Sequence, residues 1–216
     1  MTQTLRARAV LLDMDGTLVD STAAVERLWL RWAEPHGLDP QTVLSVVHGR
    51  QGHQSMAILL PERDHAVNLV ENDELLAQES ADVDGVVEIP GAARFLAALE
   101  GLPHAIVTSA NVPLMTARMQ AAALTVPAEH VTAEDVTASK PDPQGFLLGA
   151  ERLGIDPADS IAFEDSEAGI TAARAAGMRV VGVGAGSAAY GPDVVVDDLT
   201  TVAVTSDDGG IVLTIG

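Results

Sequence analysis

The chain has no cysteine. That excludes a disulfide scaffold, thiolate zinc sites and a cysteine nucleophile, and leaves the compartment open on that count. Basic side chains are also scarce: 12 Lys and Arg face 31 Asp and Glu, for a formal net charge of −19. A field of that sign repels phosphate backbones and anionic membrane surfaces, so neither nucleic acid nor a membrane is expected as a partner. No apolar run approaches the ~18 residues of a membrane span. The opening MTQTLRARAVLLDMDG reaches an acid before a signal-peptide pattern develops. A cytoplasmic protein is expected, with no obligatory protein partner implied. What is present suits a folded domain: 216 residues, 47% apolar and 20% charged, can bury a core.

Short apolar runs recur at residues 8–12, 104–107, 160–163 and 179–183, separated by stretches of helical periodicity. Strands alternating with helices predict a doubly wound, Rossmann-like α/β parallel sheet. Helix ends are readable as well. Pro90-Gly91 opens one helix, Asp142-Pro143 starts another with Asp142 as its cap, and Ser166 caps a third that Gly177 closes. Residues 22–85 show helical periodicity and no convincing strand, with apolar positions at Ala24, Leu28 and Trp32, at Met56, Leu59 and Leu60, and at Val67, Val70 and Leu75. An inserted helical domain is expected there, hinged near Asp20-Ser21 and at 86–90. Two β-rich runs around Asp207-Asp208-Gly209-Gly210 predict a C-terminal β-hairpin.

Four short segments carry side chains that could do chemistry. The first is Asp13-Met14-Asp15-Gly16-Thr17, two carboxylates where a strand becomes a turn, at the edge where open α/β sheets bind ligands. Alone it could be only a turn; a calcium loop starting at Asp13 fails, because Leu18 and Ala24 stand where Gly and Glu are required. The second is Thr108-Ser109, whose hydroxyls and N–H groups could hold phosphate oxygens or cap the next helix. The third is Ser139-Lys140-Pro141-Asp142-Pro143, where the chain's single lysine stands against eleven arginines. A compact ammonium kept there suits a point charge where a planar fork will not fit, although a surface lysine is the plainer alternative. The fourth is Glu164-Asp165-Ser166, acids that either favour a helix start or complete an oxygen-rich pocket for Mg²⁺. Elsewhere, Gly184 to Ala189 fits a dinucleotide fingerprint that Gly191-Pro192 cuts short, so a flexible loop is expected. His48 and His53, five apart, do not share a helix face and make a poor zinc pair; Trp29 and Trp32 are expected to pack or to shield a substrate.

In order and placement, Asp13 and Asp15, Thr108, Lys140, and Glu164 with Asp165 resemble the four motifs of the haloacid-dehalogenase-like hydrolases. The resemblance covers nearly the whole chain, since residues 22–85 lie where that superfamily inserts a helical cap. More narrowly, DMDGTLVDS, VVHGR, IPGA, IVTSA, KPDP and FEDSEAGI are similar to sugar-phosphate and hexitol-phosphate phosphatases and to the glycerol and deoxyglucose phosphatases. It implies a catalytic core of residues 1–21 and 86–216 and a cap of 22–85.

The same resemblance implies roles. Asp13 would attack phosphorus and form an aspartyl phosphate, and Asp15 would protonate the leaving oxygen and then activate water. Mg²⁺ would be held by Asp13, the Asp15 carbonyl and Asp165, with Glu164 binding directly or through water. Thr108, Ser109 and Lys140 would hold the phosphoryl oxygens. In the cap, His48 and Arg50 would face a small phosphorylated sugar or polyol. Two rivals are a sugar phosphomutase of the same fold and a non-enzymatic phospho-acceptor module. Related β-phosphoglucomutases carry a His in the linker where Val25 stands here, which favours hydrolysis. Receiver-type modules place their acceptor Asp on a later strand and lack the helical insertion.

Overall fold

The computed structural model describes residues 2–216. Its centre is a six-stranded parallel sheet ordered β6-β5-β2-β7-β8-β9. These strands are β2 (Ala9–Leu12), β5 (His104–Val107), β6 (His130–Val131), β7 (Ser160–Glu164), β8 (Arg179–Val183) and β9 (Val194–Val196). Every residue of β2 is buried, because successive side chains point to opposite faces and both faces are covered. Val10 and Leu12 meet α5 (Ala92–Leu99) and α6 (Val112–Ala121), whereas Ala9 and Leu11 meet α7 (Gln144–Leu153) and α8 (Glu167–Ala175). Phe95 and Phe163 pack in the first layer with their rings tilted and their centroids 4.9 Å apart. Burying a side chain of that size contributes about 1.5–3 kcal/mol, so the two layers anchor the strand ends firmly.

The strand expected over 8–12 is β2, and a further strand that the sequence reading did not include precedes it. β1 (Gln3–Ala7) ends before Arg8 and leaves the parallel sheet for a second, antiparallel one, β1-β11-β10. The expected C-terminal hairpin is present as β10 (Val202–Asp207) and β11 (Gly210–Ile215), turned by Asp208-Gly209. β1 pairs with β11 from Gln3↔Ile215 to Ala7↔Ile211, so the small sheet closes over α5 and extends the first core layer. The segment around Gly184 is a short 3₁₀ helix over Ala185–Tyr190, with Ser187 buried and donating to the Gly184 carbonyl at 2.7 Å, where a flexible loop was expected.

Helices α1 (Thr22–Ala33), α2 (Pro40–Leu44), α3 (Gly52–Leu59) and α4 (His65–Ala81) pack around Val25, Leu28, Trp29, Val43, Met56 and Leu75. The expected apolar faces need correction in two of them. In α1 the fully packed tryptophan is Trp29, and Trp32 lies half-buried with its Nε1–H on Glu71 at 2.7 Å. In α4, Val67 and Val70 are exposed while Asn68, Asn72, Leu75 and Glu79 are buried. That spacing is helical, but the buried stripe is mostly polar. The two connections to the core, β3 (Val19–Asp20) and β4 (Val87–Glu88), pair antiparallel with each other as Val19↔Glu88 and Asp20↔Val87. Among the described residues, no helix is long and apolar enough to cross a membrane.

Candidate active site

Strand β2 sits between β5 and β7, so the residues that follow these three strands share one edge of the sheet. The loop after β2 is tight. The Met14 carbonyl accepts from the N–H groups of Leu18 and Val19 at 2.8 and 2.9 Å, and Gly16 takes a φ of +83°. A side chain at Gly16 is excluded twice over: its Cβ would lie 2.0 Å from Asp165 Oδ2, and the backbone conformation is costly for any L-residue. Glycine therefore lets the first and fourth motifs touch.

Asp13 and Lys140 are both buried, with Nζ donating to Asp13 Oδ1 at 2.5 Å and to Glu164 Oε1 at 2.7 Å. The surface-lysine alternative is thereby set aside: the chain's one lysine is 5% exposed and pairs with two carboxylates. Glu164 is held from its other side, where Oε2 accepts from the N–H groups of Asp165 and Ser166 and from Ser166 Oγ. Ser166 also caps α8 by accepting from Gly169 N–H at 3.1 Å, as expected. Asp142 accepts from Gln144 N–H at 2.9 Å at the start of α7, although the first helical turn follows Pro143.

One lysine does not balance this cluster. Burial raises the Asp13 carboxyl to about 8 despite the pull of Lys140, and the nearby Glu164 charge adds to the rise. Asp165 is also held well above its ordinary range, first by burial and then by repulsion from Glu164 and Asp13. Burial would lower the Lys140 ammonium, but attraction from Asp13 and Glu164 outweighs it and keeps the group charged. Oxygens of Asp13, Glu164 and Asp165 lie within 4.8 Å of one another. An all-oxygen, electron-rich set with excess negative charge fits a hard divalent cation.

At the end of β5, Thr108 is buried and its Oγ1 accepts from Ala110 N–H at 3.0 Å. The helix cap expected of Thr108 or Ser109 is Asn111, whose Oδ1 accepts from Leu114 N–H. Both hydroxyls therefore remain at the sheet edge, and both residues line one cavity with Asp13, Asp15 and Asp165.

The helical segment supplies the opposite wall of that cavity with Trp29, His48, Arg50 and Asn72. The 48–50 loop is pressed onto the core: Gly49, at φ +79°, has room for no Cβ because Ser166 Oγ would lie 2.2 Å away. His48 Nε2 stands 3.8 Å from Glu26. Two buried polar atoms on this wall, Arg50 Nε and Asn72 Oδ1, have no hydrogen-bond partner.

Four side chains here were not among the sequence candidates: Ser21, Arg118, Glu79 and Asn72. Asp15 accepts from Ser21 Oγ at 2.6 Å and from Arg118 Nη1 at 2.8 Å, and Arg118 Nη2 donates to Glu79 Oε2 at 3.0 Å. Burial raises the Glu79 carboxyl above its ordinary range even with Arg118 beside it. A signal for the pair was present, since Arg118 and Glu79 each lie four residues beyond a buried leucine, Leu114 and Leu75, on the same helix face.

A parallel sheet with acids at adjacent strand ends, a buried lysine and an inserted set of helices defines a class, and the family model of the haloacid dehalogenase-like hydrolases matches residues 7–177. The chain belongs to this family of hydrolases. It is 39% identical to hexitol phosphatase A of Escherichia coli strain K12, over 97% of this chain and 99% of that one. It is also 31% identical to the β-phosphoglucomutase of Bacillus subtilis strain 168, over 89% and 92% of the two chains. A hydrolase from Pseudomonas syringae of known crystal structure superposes with a TM-score of 0.74 at 25% identity, covering 89% of this chain and 94% of its own.

Proposed function

We propose that this protein is a Mg²⁺-dependent phosphatase that hydrolyses small sugar or polyol phosphates. The observation that carries the reading is the cluster of Asp13, Lys140, Glu164 and Asp165, of which Asp13 and Asp165 line one end of the cavity together with Asp15. The similarity to hexitol phosphatase A supports the choice of substrate class. Residues 1–21 and 86–216 act as the catalytic core, and residues 22–85 as a cap over it.

Asp13 attacks phosphorus, the bond to the sugar oxygen breaks, and Asp15 delivers a proton to that oxygen as it leaves. Asp15, now a carboxylate, takes a proton from water as the water attacks the aspartyl phosphate, freeing phosphate and restoring Asp13. Lys140, Thr108 and the Ser109 N–H hold the phosphoryl oxygens and balance their charge. Mg²⁺ would be held by Asp13, the Asp15 carbonyl and Asp165. When bound it offsets the repulsion between an attacking carboxylate and an anionic ester. Glu164 would bind the ion directly or through water, and it also fixes Lys140 and the 164–166 turn through the hydrogen bonds that its oxygens accept. In the cap, Arg50, His48 and Asn72 meet the substrate's hydroxyls, and Trp29 supplies an apolar wall. The cytoplasmic location expected from the sequence is part of the same proposal.

A panel of phosphorylated hexitols, aldoses and glycerol, assayed for inorganic phosphate with and without Mg²⁺, tests it. Release from hexitol phosphates only with Mg²⁺ present supports the proposal, and no release from any member refutes it. The similarity to β-phosphoglucomutase keeps one rival, transfer of the phosphoryl group between sugar hydroxyls.

A further inference from the structure

The proposed reaction leaves one buried cation without a task. Arg118 stands on the inward face of α6 with its side chain 5% exposed, among Leu114, Met115 and Met119. Its planar fork is shared between two carboxylates from distant parts of the chain, Asp15 in the loop after β2 and Glu79 on α4 of the cap. Asp15 is thus gripped on both oxygens, Oδ1 by Ser21 and Oδ2 by Arg118. Ser21 stands at the N-cap position of α1 yet makes no capping bond, its hydroxyl being given to Asp15.

A group that passes a proton to a leaving oxygen, and then takes one from water, must stand within hydrogen-bond reach of each. A loop aspartate has several rotamers, and only a fixed carboxyl acts in a preorganised way. Two rigid donors fix it here, and they match the carboxylate that remains once the proton has gone. We propose that Arg118 is the positioning residue for Asp15, and that Glu79 fixes the far side of the guanidinium from the cap. The proposal rests on the reading of Asp15 as proton donor. It makes the placement of the acid depend on the cap being seated, because one of the guanidinium's two anchors belongs to the cap.

The test compares two esters, sorbitol 6-phosphate, whose alkoxide leaving group needs a proton, and p-nitrophenyl phosphate, whose leaving group does not. The parameter kcat/KM covers the steps up to loss of the leaving group. Arg118→Met should lower it ~100-fold on sorbitol 6-phosphate and less than ~3-fold on p-nitrophenyl phosphate, the range of a misplaced general acid. In an Asp15→Asn background, Arg118→Met should cost nothing further, since both changes remove the same proton transfer. Glu79→Gln, which keeps an acceptor but not the charge, should show the same selectivity at smaller amplitude. If Arg118→Met fails to fold, Arg118→Lys keeps the charge without the fork and should show the selective loss.

Equal losses on both esters, or losses additive with Asp15→Asn, would make Arg118 a fold or substrate-binding residue and overturn the inference alone. An Asp15→Asn enzyme that loses both esters equally would remove the reading of Asp15 itself, and the inference with it.

Discussion

The floor and the wall of the cavity are built on different terms. On the floor, Lys140 pairs with Asp13 and Glu164, and Glu164 accepts three further bonds from the 165–166 turn. On the wall, Arg50 Nε and Asn72 Oδ1 are buried and unpartnered. Buried polar groups are nearly always bonded, so under the proposed function these two would be met by the substrate. The contrast teaches where the two kinds of selectivity reside. A phosphoryl group is the same in every ester, so its site can be complete in advance; the alcohol varies, and its contacts are left open.

If this division is correct, damage to the floor should strike every ester alike. Asp13→Asn should lower turnover at least ~10⁴-fold on any phosphate ester, the scale of removing an enzymatic nucleophile. The circular dichroism spectrum should stay native. Wild-type rates on any ester would cancel the assignment of Asp13. Lys140→Met comes next, with an expected loss of ~10²–10³ in kcat, as for other lost stabilisers of a transition-state charge. Its Tm should also fall, because Asp13 and Glu164 would be left buried without their cation. A Lys140→Met enzyme with unchanged Tm and kcat would mean that the floor does not depend on its cation.

Damage to the wall should be selective. Arg50→Ala should reduce kcat/KM on hexitol phosphates ~10-fold, the size of one charge-assisted contact, and leave p-nitrophenyl phosphate nearly unaffected. An equal loss on the two substrates would move Arg50 from the wall to the floor. The finest distinction concerns product. Given β-glucose 1-phosphate and a trace of glucose 1,6-bisphosphate, the enzyme should release phosphate faster than it forms glucose 6-phosphate. Val25, buried at the cavity, offers no hydrogen bond with which to delay Asp15. Glucose 6-phosphate appearing first would identify a mutase.

The floor was legible in the sequence and the wall was not, for a physical reason. Apolar strands that end abruptly in Asp13, Thr108 and Glu164 mark buried parallel strands and their carboxyl ends at once, and the chain's lone lysine singles itself out. Helix α4 misleads because it roofs a polar cavity. Its inward stripe holds Asn68, Asn72 and Glu79, while Val67 and Val70 face solvent, so an apolar periodicity reads the wrong side. β1 escaped because QTLRA is largely polar and finds its partner only at Ile211–Ile215, at the far end of the chain. Arg118 escaped for a related reason: helical spacing from Leu114 could mark it as inward-facing, but its two carboxylates come from positions 15 and 79, and spacing does not say which groups meet.

The pairing of β3 with β4 bears on how such a chain can be altered. Chain leaves the core at Asp20 and returns at Val87, and those two residues face each other across a ribbon. The helices between them are, in effect, spliced in at a single point, with neighbouring ends of the kind that tolerate domain insertion. A different helical module whose own termini lie as close could be exchanged for this one without lengthening any core connection. By the same logic, inserting a residue on one side of the ribbon would shift the register of the other, so the two junctions would have to change length together.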